Sequence, residues 1–438
     1  MPNLPQALGF MTALEPVFTG PTFATCIRLV AGWILCPARR TITGVYPFAD
    51  PTRGRCVEIY HHFFRSAAWL QRELFACWTR YLVRRLCAST KTLLLAIDDT
   101  THKKTGRQVD GARVCRDAVR STTSETVFCW ALQYVPLCLV YSPPWGGEPL
   151  SIPLNIRLNR KARDGEAPVT LLDHAEAMLR ELAEWLPDHD FRLVADGAYA
   201  PLAGRLLPRV TLVSRLRADA ALYELPAPRK PGARGRSRLK GVRLPKPSEL
   251  AKKIPSSRHD WRLAQTCERG ELRKRLLYAR PVIWAHVSKK PILLIISRDW
   301  EGKEADDFFF STDVSAIPEL TVSDFADRWS VEDTFRNVKQ YLGAEQPQSW
   351  KGIGPERAGA FSYLVYGAVW LARIEREGRK TATIQREWYE EKNCVSFLDA
   401  LADTRQRLWR ERIKAMSSSR ADHEIIQNLL VNALVWAA

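Results

Sequence analysis

One predicted helix in the last third of the chain carries a carboxylate in line with several cations. At about 100° per residue, Arg328, Glu332 and Lys339 fall on one side of this helix, and the same arc includes Phe325 and Arg336. A carboxylate flanked by cations is suited to holding a metal ion and an anionic group together. A solvated charged face with i,i+4 ion pairs is the simpler interpretation for a helix taken alone.

Two further carboxylate positions lie where short, largely apolar runs end. Residues 93–97 precede Asp98 and Asp99, and residues 191–195 precede Asp196. Both runs predict buried strands, and open α/β sheets bind ligands at the carboxyl ends of their strands. Aspartate at a strand end is also common as a turn or N-cap residue. Two such ends together with Glu332 predict a converging acidic site, in which Asp98 and Asp99 are alternatives because neighbouring strand residues face opposite ways.

The order Asp99, Asp196, Glu332 resembles the DDE triad of insertion-sequence transposases, which have an RNase H-like fold. Residues 97–100 are similar to the first sequence block of one large transposase group, residues 194–199 to its second, and residues 308–313 to the strand before its signature helix. The resemblance extends over roughly residues 90 to 375. The group's pattern favours Asp99, the residue directly before Thr100, over Asp98 as the first member of the triad.

The signature helix of that group has the spacing Y-x2-R-x3-E-x6-K. Arg328, Glu332 and Lys339 match this spacing, and Phe325 stands where the group has tyrosine. The phenylalanine lacks the hydroxyl that could hydrogen-bond a DNA phosphate, although its ring could still stack. With the DNA role that the resemblance implies, Arg328, Arg336 and Lys339 are predicted to bind phosphates and to set the register of the DNA strand.

Hydrolysis of a phosphodiester needs a nucleophilic water, a stabilised leaving oxygen and neutralisation of the phosphoryl charge. Two Mg2+ ions about 3.5–4 Å apart supply all three. Because Mg2+ prefers carboxylate oxygens and water, Asp99 is predicted to bridge two ions while Asp196 and Glu332 bind one each. Mn2+ is expected to substitute for Mg2+. Without metal, the three acids would raise one another's pKa.

The charge balance agrees with a nucleic-acid partner. Lys and Arg number 65 against 48 Asp and Glu, a net charge of +17, which favours binding to a polyanion. Membrane-surface binding is the competing interpretation, but no run of 18 or more apolar residues occurs. The amino terminus shows no signal-peptide pattern, and the ten cysteines lack C-x2-C spacing. These features predict a cytoplasmic protein with reduced thiols and no zinc site.

The sequence predicts an α/β fold, in which an RNase H-like mixed-sheet core is flanked by amino- and carboxy-terminal helical regions. Residues 1–88 have apolar residues at helical spacing in Cys26–Leu35 and Ala67–Leu86; this region would bind DNA ends or, alternatively, cap the catalytic domain. The core is expected over 89–215 and 301–352, and a helical region over 353–438. In the first core part, strands Thr92–Ile97, Val127–Leu132 and Leu137–Tyr141, helix Leu171–Leu186 and strand Phe191–Ala195 fit an RNase H-like sheet.

Residues 216–300 predict an inserted, basic and β-rich subdomain. Its first part, Pro226–Lys253, contains ten Lys or Arg residues and one acid, as in a loop that orders on DNA or in a solvated disordered loop. Trp300 follows a predicted strand at Leu293–Ser297. By resemblance to enzymes that cut through a DNA hairpin, Trp300 could stack on a flipped base, whereas core packing is the simpler interpretation.

These features together predict a DNA transposase that cuts one strand at each transposon end and joins the resulting 3′-OH to target DNA. The expected partners are double-stranded DNA, comprising terminal inverted repeats and target, and a second copy of the chain on paired ends. Two other functions stay open. One is an RNase H-like nuclease without strand transfer, and the other is a domesticated, catalytically silent DNA-binding protein.

Overall fold

The computed structural model describes residues 4–117, 119–162, 165–228, 238–254, 260–376, 392 and 394–416. It has a mixed α/β fold in which helices cover a large mixed sheet. Parts of the predicted helical region 353–438 and of the basic stretch Pro226–Lys253 lie outside the described residues.

The amino-terminal region is helical. A 3-10 helix, Gln6–Val17, is followed by four helices: α1 Gly20–Leu35, α2 Ile42–Ala49, α3 Val57–Arg65 and α4 Gln71–Leu86. These helices share one hydrophobic core with the sheet. Trp78 Nε1 of α4 donates a hydrogen bond to Pro153 O at 2.8 Å, and Trp33 Nε1 of α1 donates to Leu342 O at 2.9 Å. The region therefore packs directly on the rest of the protein.

The remaining elements alternate along the chain. The strands are β1 Thr92–Ile97, β2 Thr100–Lys103, β3 Arg113–Arg116, β4 Phe128–Tyr141, β5 Leu150–Leu158, β6 Asp190–Ala195, β7 Val210–Arg215, β8 Arg262–Glu268, β9 Glu271–Val282, β10 Ile292–Asp299 and β11 Asp307–Ser311. The helices are α5 Leu171–Trp185, a 3-10 helix at Gly197–Gly204, α6 Pro247–Lys253, α7 Pro318–Asp327, α8 Ser330–Gln340, α9 Gly354–Ile374 and α10 Phe397–Met416.

All eleven strands of the described residues belong to one sheet, whose main order is β2-β4-β1-β6-β7-β11-β10-β9-β8, with β3 and β5 also paired to β4. β4 is antiparallel to both β5 and β1, whereas β1, β6 and β7 are parallel. From β7 onward, β11, β10, β9 and β8 continue the sheet in antiparallel fashion. The β-rich stretch expected as an inserted subdomain thus extends the same sheet.

Two strand predictions were wrong. Val127–Leu132 and Leu137–Tyr141 form the single strand β4 rather than two strands. Proline cannot donate to a ladder, but a register shift at Leu137/Cys138 accommodates Pro136 within the strand. The third antiparallel strand is β5, which the sequence analysis missed because Pro153 and Asn155 interrupt its apolar pattern.

Helix α9 lies at the centre of the helical layer. Nearly all of its 21 residues are buried, as expected for a helix that is apolar on every side. It packs against β5, α10, α3 and α8. No helix among the described residues is long and apolar enough to cross a membrane.

Candidate active site

Asp98 and Asp196 leave two neighbouring parallel strands side by side. β1 and β6 are in register through Ile97 and Ala195, and the next residue of each strand is the aspartate. Adjacent strands lie about 4.8 Å apart. The two carboxylates therefore lie together at the carboxyl edge of the sheet, where open α/β sheets bind ligands.

Asp98 forms an ion pair with the segment between α7 and α8. Its Oδ2 accepts from Arg328 Nη1 at 2.7 Å, and its Oδ1 accepts from the backbone N–H of Asp99 at 2.9 Å. Burial raises the pKa of the Asp98 carboxyl to about 7; the Arg328 guanidinium opposes this shift, and the charge of Asp196 adds to it. Burial thus favours the neutral form of the Asp98 carboxyl, and the neighbouring guanidinium favours its charged form.

Asp99 has a different partner. Its Oδ2 accepts from Gln133 Nε2 of β4 at 2.7 Å. Burial raises the pKa of the Asp99 carboxyl, while the hydrogen bond from Gln133 lowers it. Of the two alternatives left open by the sequence, Asp98 is the one that contacts the signature residues.

The stretch expected as one continuous helix is divided into α7 and α8 at Arg328 and Trp329. The backbone remains helical in φ and ψ there, but its hydrogen bonds are of the tighter i→i−3 type, including Glu332 N–H to Trp329 O at 2.9 Å. Glu332 therefore lies in the first turn of α8. Its Oε1 accepts from Arg328 Nη2 at 3.2 Å, so that one guanidinium links Asp98 and Glu332.

Of the other predicted DNA-binding residues, Phe325 lies beside Arg328, whereas Arg336, Lys339 and Trp300 lie elsewhere. Phe325 packs on Phe309 of β11 with ring centroids 4.8 Å apart. Arg336 pairs with Asp333 at 2.7 Å and lines a separate cavity of about 350 Å³. Lys339 is half-buried near Glu345, and burial lowers its pKa. Trp300 is half-exposed at the end of β10.

A cavity of about 660 Å³ opens beside the paired aspartates, and Asp196 and Arg328 line it. Its far wall comes from β7 to β11 and α7. The wall carries several arginines, each in an ion pair with an acid, together with the half-exposed Trp329; the arginines are Arg215, Arg269, Arg273 and Arg275. The sequence analysis missed this wall because its residues come together only when β8–β10 join the sheet.

The turn between β8 and β9 closes one side of this cavity. Arg269 Nη2 pairs with Glu148 Oε1 at 3.0 Å, and the Arg269 backbone N–H donates to Asp327 Oδ1 at 3.3 Å. Gly270 has a φ of +84°, and a Cβ there would lie 3.0 Å from Gly147 O. Glycine permits both the positive φ and this close approach.

Comparison with known proteins gives the family. The family described as DDE superfamily endonuclease matches residues 13–275. The chain belongs to this family. The matched range of this DDE endonuclease includes Asp98 and Asp196 but ends before Arg328 and Glu332. No curated protein matched the chain.

Endonucleases of this superfamily usually use divalent metals, so the fit of the acidic residues to such ions matters. Within the described ranges, no three His, Cys, Asp or Glu side chains come close enough together to hold one ion. The Arg328 guanidinium lies between Asp98 and Glu332. The oxygen donors of Asp98, Asp196 and Glu332 nevertheless fit the preference of Mg2+ for carboxylates.

Tyr199 is a further residue whose place could not be foreseen. It follows Asp196 in the 3-10 helix and is 1% exposed. Burial raises the pKa of its phenol, and the nearby charges of Asp99, Asp98 and Asp196 raise it further. Its hydroxyl has no hydrogen-bond partner among the described residues. Tyr199 thus brings an unused polar group close to the acidic site of this DDE endonuclease.

Proposed function

We propose that this DDE endonuclease is the DNA transposase of an insertion sequence. The observation that carries the proposal is the placement of Asp98 and Asp196 on adjacent parallel strand ends, with Glu332 joined to Asp98 through Arg328. Three acids so arranged, beside a cavity lined with arginines, suit the hydrolysis of a phosphodiester.

The proposed metal ligands are Asp98, Asp196 and Glu332. The contacts of Asp98 favour it over Asp99, which the family pattern favours; Asp99 would then orient the site through Gln133. When bound, two divalent ions, Mg2+ or Mn2+, would activate the attacking water and stabilise the leaving oxygen. The water oxygen would bond to phosphorus as the P–O3′ bond breaks, which leaves a 3′-OH.

An RNase H-like core is the fold that we propose for the catalytic part. Its support is the sheet, in which the antiparallel strands β5, β4 and β1 are followed by the parallel strands β6 and β7. Asp98 follows β1, the central strand of this group of five, and Asp196 follows the neighbouring strand β6.

The proposed partner is double-stranded DNA, as terminal inverted repeats and as target. The net charge of +17 supports this because a polycationic protein is attracted to a polyanion. Arg328, Arg336 and Lys339 would bind phosphates, and Phe325 and Trp300 would contact the DNA by their rings. A homodimer on paired ends in the cytoplasm would bring both ends to one target, where each 3′-OH attacks a phosphodiester.

The experiment is cleavage of DNA that carries the element's own flanking ends, with Mg2+ and with EDTA. Wild type and Asp196→Asn are compared. Mg2+-dependent nicks at the end boundary that are lost in the variant would support the proposal. Metal-independent nicks, or equal cleavage by both proteins, would refute it.

The same DNA and proteins also distinguish two alternative functions from transposition. A nuclease without strand transfer would cut the ends but never join the 3′-OH to a second DNA. A silent DNA-binding protein would bind the ends tightly without any metal-dependent cut. Of these, the nuclease has the firmer support because the family is one of endonucleases.

A further inference from the structure

Arg328 lies in the position of a cation between two proposed metal ligands. Its Nη1 contacts Asp98 Oδ2 at 2.7 Å and its Nη2 contacts Glu332 Oε1 at 3.2 Å. Its side chain is only 11% exposed. One oxygen of each of these two carboxylates is therefore already paired with a guanidinium.

The remaining nitrogen of this guanidinium is unused. Arg328 Nε is buried and has no hydrogen-bond partner within the described part of the chain. The same side chain lines the 660 Å³ cavity. A guanidinium has five N–H donors and binds phosphate in a two-pronged manner, so that Arg328 has the capacity to bind a phosphate from this cavity.

From these contacts we infer that Arg328 is a positioning residue that exchanges its carboxylate partners for a DNA phosphate. In the protein without DNA it occupies the oxygens of Asp98 and Glu332 and keeps the acids from repelling one another. When metal takes those oxygens, the guanidinium turns to a phosphate of the DNA strand. This inference rests on the proposed function, because it describes how metal binding and DNA binding at the proposed sites affect each other.

The surroundings of Arg328 suit such an exchange. It lies at the division between α7 and α8, so its side chain emerges where the two helices meet rather than from the middle of one. The centroid of the Phe325 ring lies 5.6 Å from its guanidinium carbon, so that the cation lies beside an aromatic ring in this position. Phe325 would then contact both the Arg328 guanidinium and the DNA.

Exchange makes metal and DNA binding mutually dependent. If both ligands favour the state in which Arg328 has left the carboxylates, each must tighten the other by the same factor. Such coupling between sites typically amounts to about 5–150-fold. A guanidinium that never moved would give no such reciprocity through Arg328.

The first test measures the affinity of DNA-free protein for Mn2+ by titration calorimetry. Arg328→Gln removes the competing cation, and we expect it to bind Mn2+ about tenfold more tightly than wild type. Arg205→Gln is the matched control. Arg205 also bridges two acids, but these acids, Asp173 and Glu176, belong to α5. Its Mn2+ affinity should equal that of wild type. Unchanged or weaker binding in Arg328→Gln would overturn the inference.

The second test measures how Ca2+ changes DNA binding, first in the wild-type protein alone and then in Arg328→Gln. A short duplex of arbitrary sequence is titrated by fluorescence anisotropy with and without Ca2+, which also takes carboxylate oxygens. We expect Ca2+ to tighten duplex binding by at least about fivefold in wild type, and Arg328→Gln to lose this effect. Absence of the effect in wild type would overturn the exchange even if the variant failed to fold.

Asp196→Asn distinguishes failure of the inference from failure of the proposed function. If wild type binds Mn2+ and Asp196→Asn binds it more weakly, the proposed metal site is supported regardless of the result for Arg328. If Asp196→Asn binds Mn2+ as tightly as wild type, or neither binds it, then the metal site itself is refuted and the exchange with it.

Discussion

Asp98→Asn removes the charge of the residue that, by its contacts, is the first ligand of the proposed metal site. The substitution keeps the size of the side chain but leaves Arg328 with Glu332 as its only acidic partner in this network. A metal supplies several kcal/mol of transition-state stabilisation, and about 1.36 kcal/mol corresponds to a tenfold change in rate. We therefore expect cleavage to fall by about a thousandfold or more.

Asp99→Asn is the discriminating comparison. Asp99 contacts Gln133, and loss of a partner that only orients a metal site typically costs about 10–100-fold. The assay is Mg2+-dependent nicking of DNA that carries the element's flanking ends, with rates from single-turnover time courses. Asp190→Asn serves as the matched control, because Asp190 begins β6 at the end opposite to Asp196.

Folding must be monitored in the same experiment. Removal of one partner of a buried ion pair costs about 3–5 kcal/mol, and the cost for Asp98→Asn should be smaller because Arg328 keeps Glu332. Since domains are typically stable by about 5–15 kcal/mol, a thermal melt should still show a folded protein. If folded Asp99→Asn were inactive while Asp98→Asn cleaved at nearly the wild-type rate, the assignment of Asp98 would be refuted.

Glu332→Gln should abolish cleavage yet retain binding of end DNA in a gel-shift assay; loss of binding as well would make Glu332 a structural residue. Lys339→Ala should flatten the slope of log K against log salt by about 0.9, the value for one phosphate contact, and an unchanged slope would place Lys339 away from DNA. Gly359→Ala should destabilise by about 1–3 kcal/mol in urea unfolding, because its Cβ would lie 2.2 Å from Tyr134 Oη and 2.3 Å from Tyr134 Cζ; the same substitution should cost less in a Tyr134→Ala background, and an equal cost there would exclude the tyrosine side chain as the cause. Thr170→Ala should cost about 1 kcal/mol near neutral pH. Because the hydrogen bonds of the Thr170 cap hold the pKa of Asp173 at about 2, below its ordinary 3.8, the difference from wild type should shrink as pH falls from 4 to 2, and a difference independent of pH would contradict this origin.

Local patterns in the sequence were sufficient for most of the elements. The apolar run before Asp98 forms β1, the run before Asp196 forms β6, and the helix predicted at Leu171–Leu186 is α5, Leu171–Trp185. Hydrophobic periodicity reports burial within one element, so it identifies such strands and helices without knowledge of their partners. The spacing of Arg328 and Glu332, four residues apart, likewise brings them onto one helical side, where they form an ion pair.

Strand pairing and long-range contacts were decided only by the tertiary structure. Strand periodicity alone left Asp98 and Asp99 as alternatives, and the resemblance favours Asp99; their different contacts, with Arg328 and with Gln133, arise between segments far apart in the chain. Nor could it show that β8–β10 continue the core sheet and bring an arginine-lined wall to Asp196. Residue types and local spacing therefore determined which side chains could do the chemistry, whereas strand register and packing determined which of them meet.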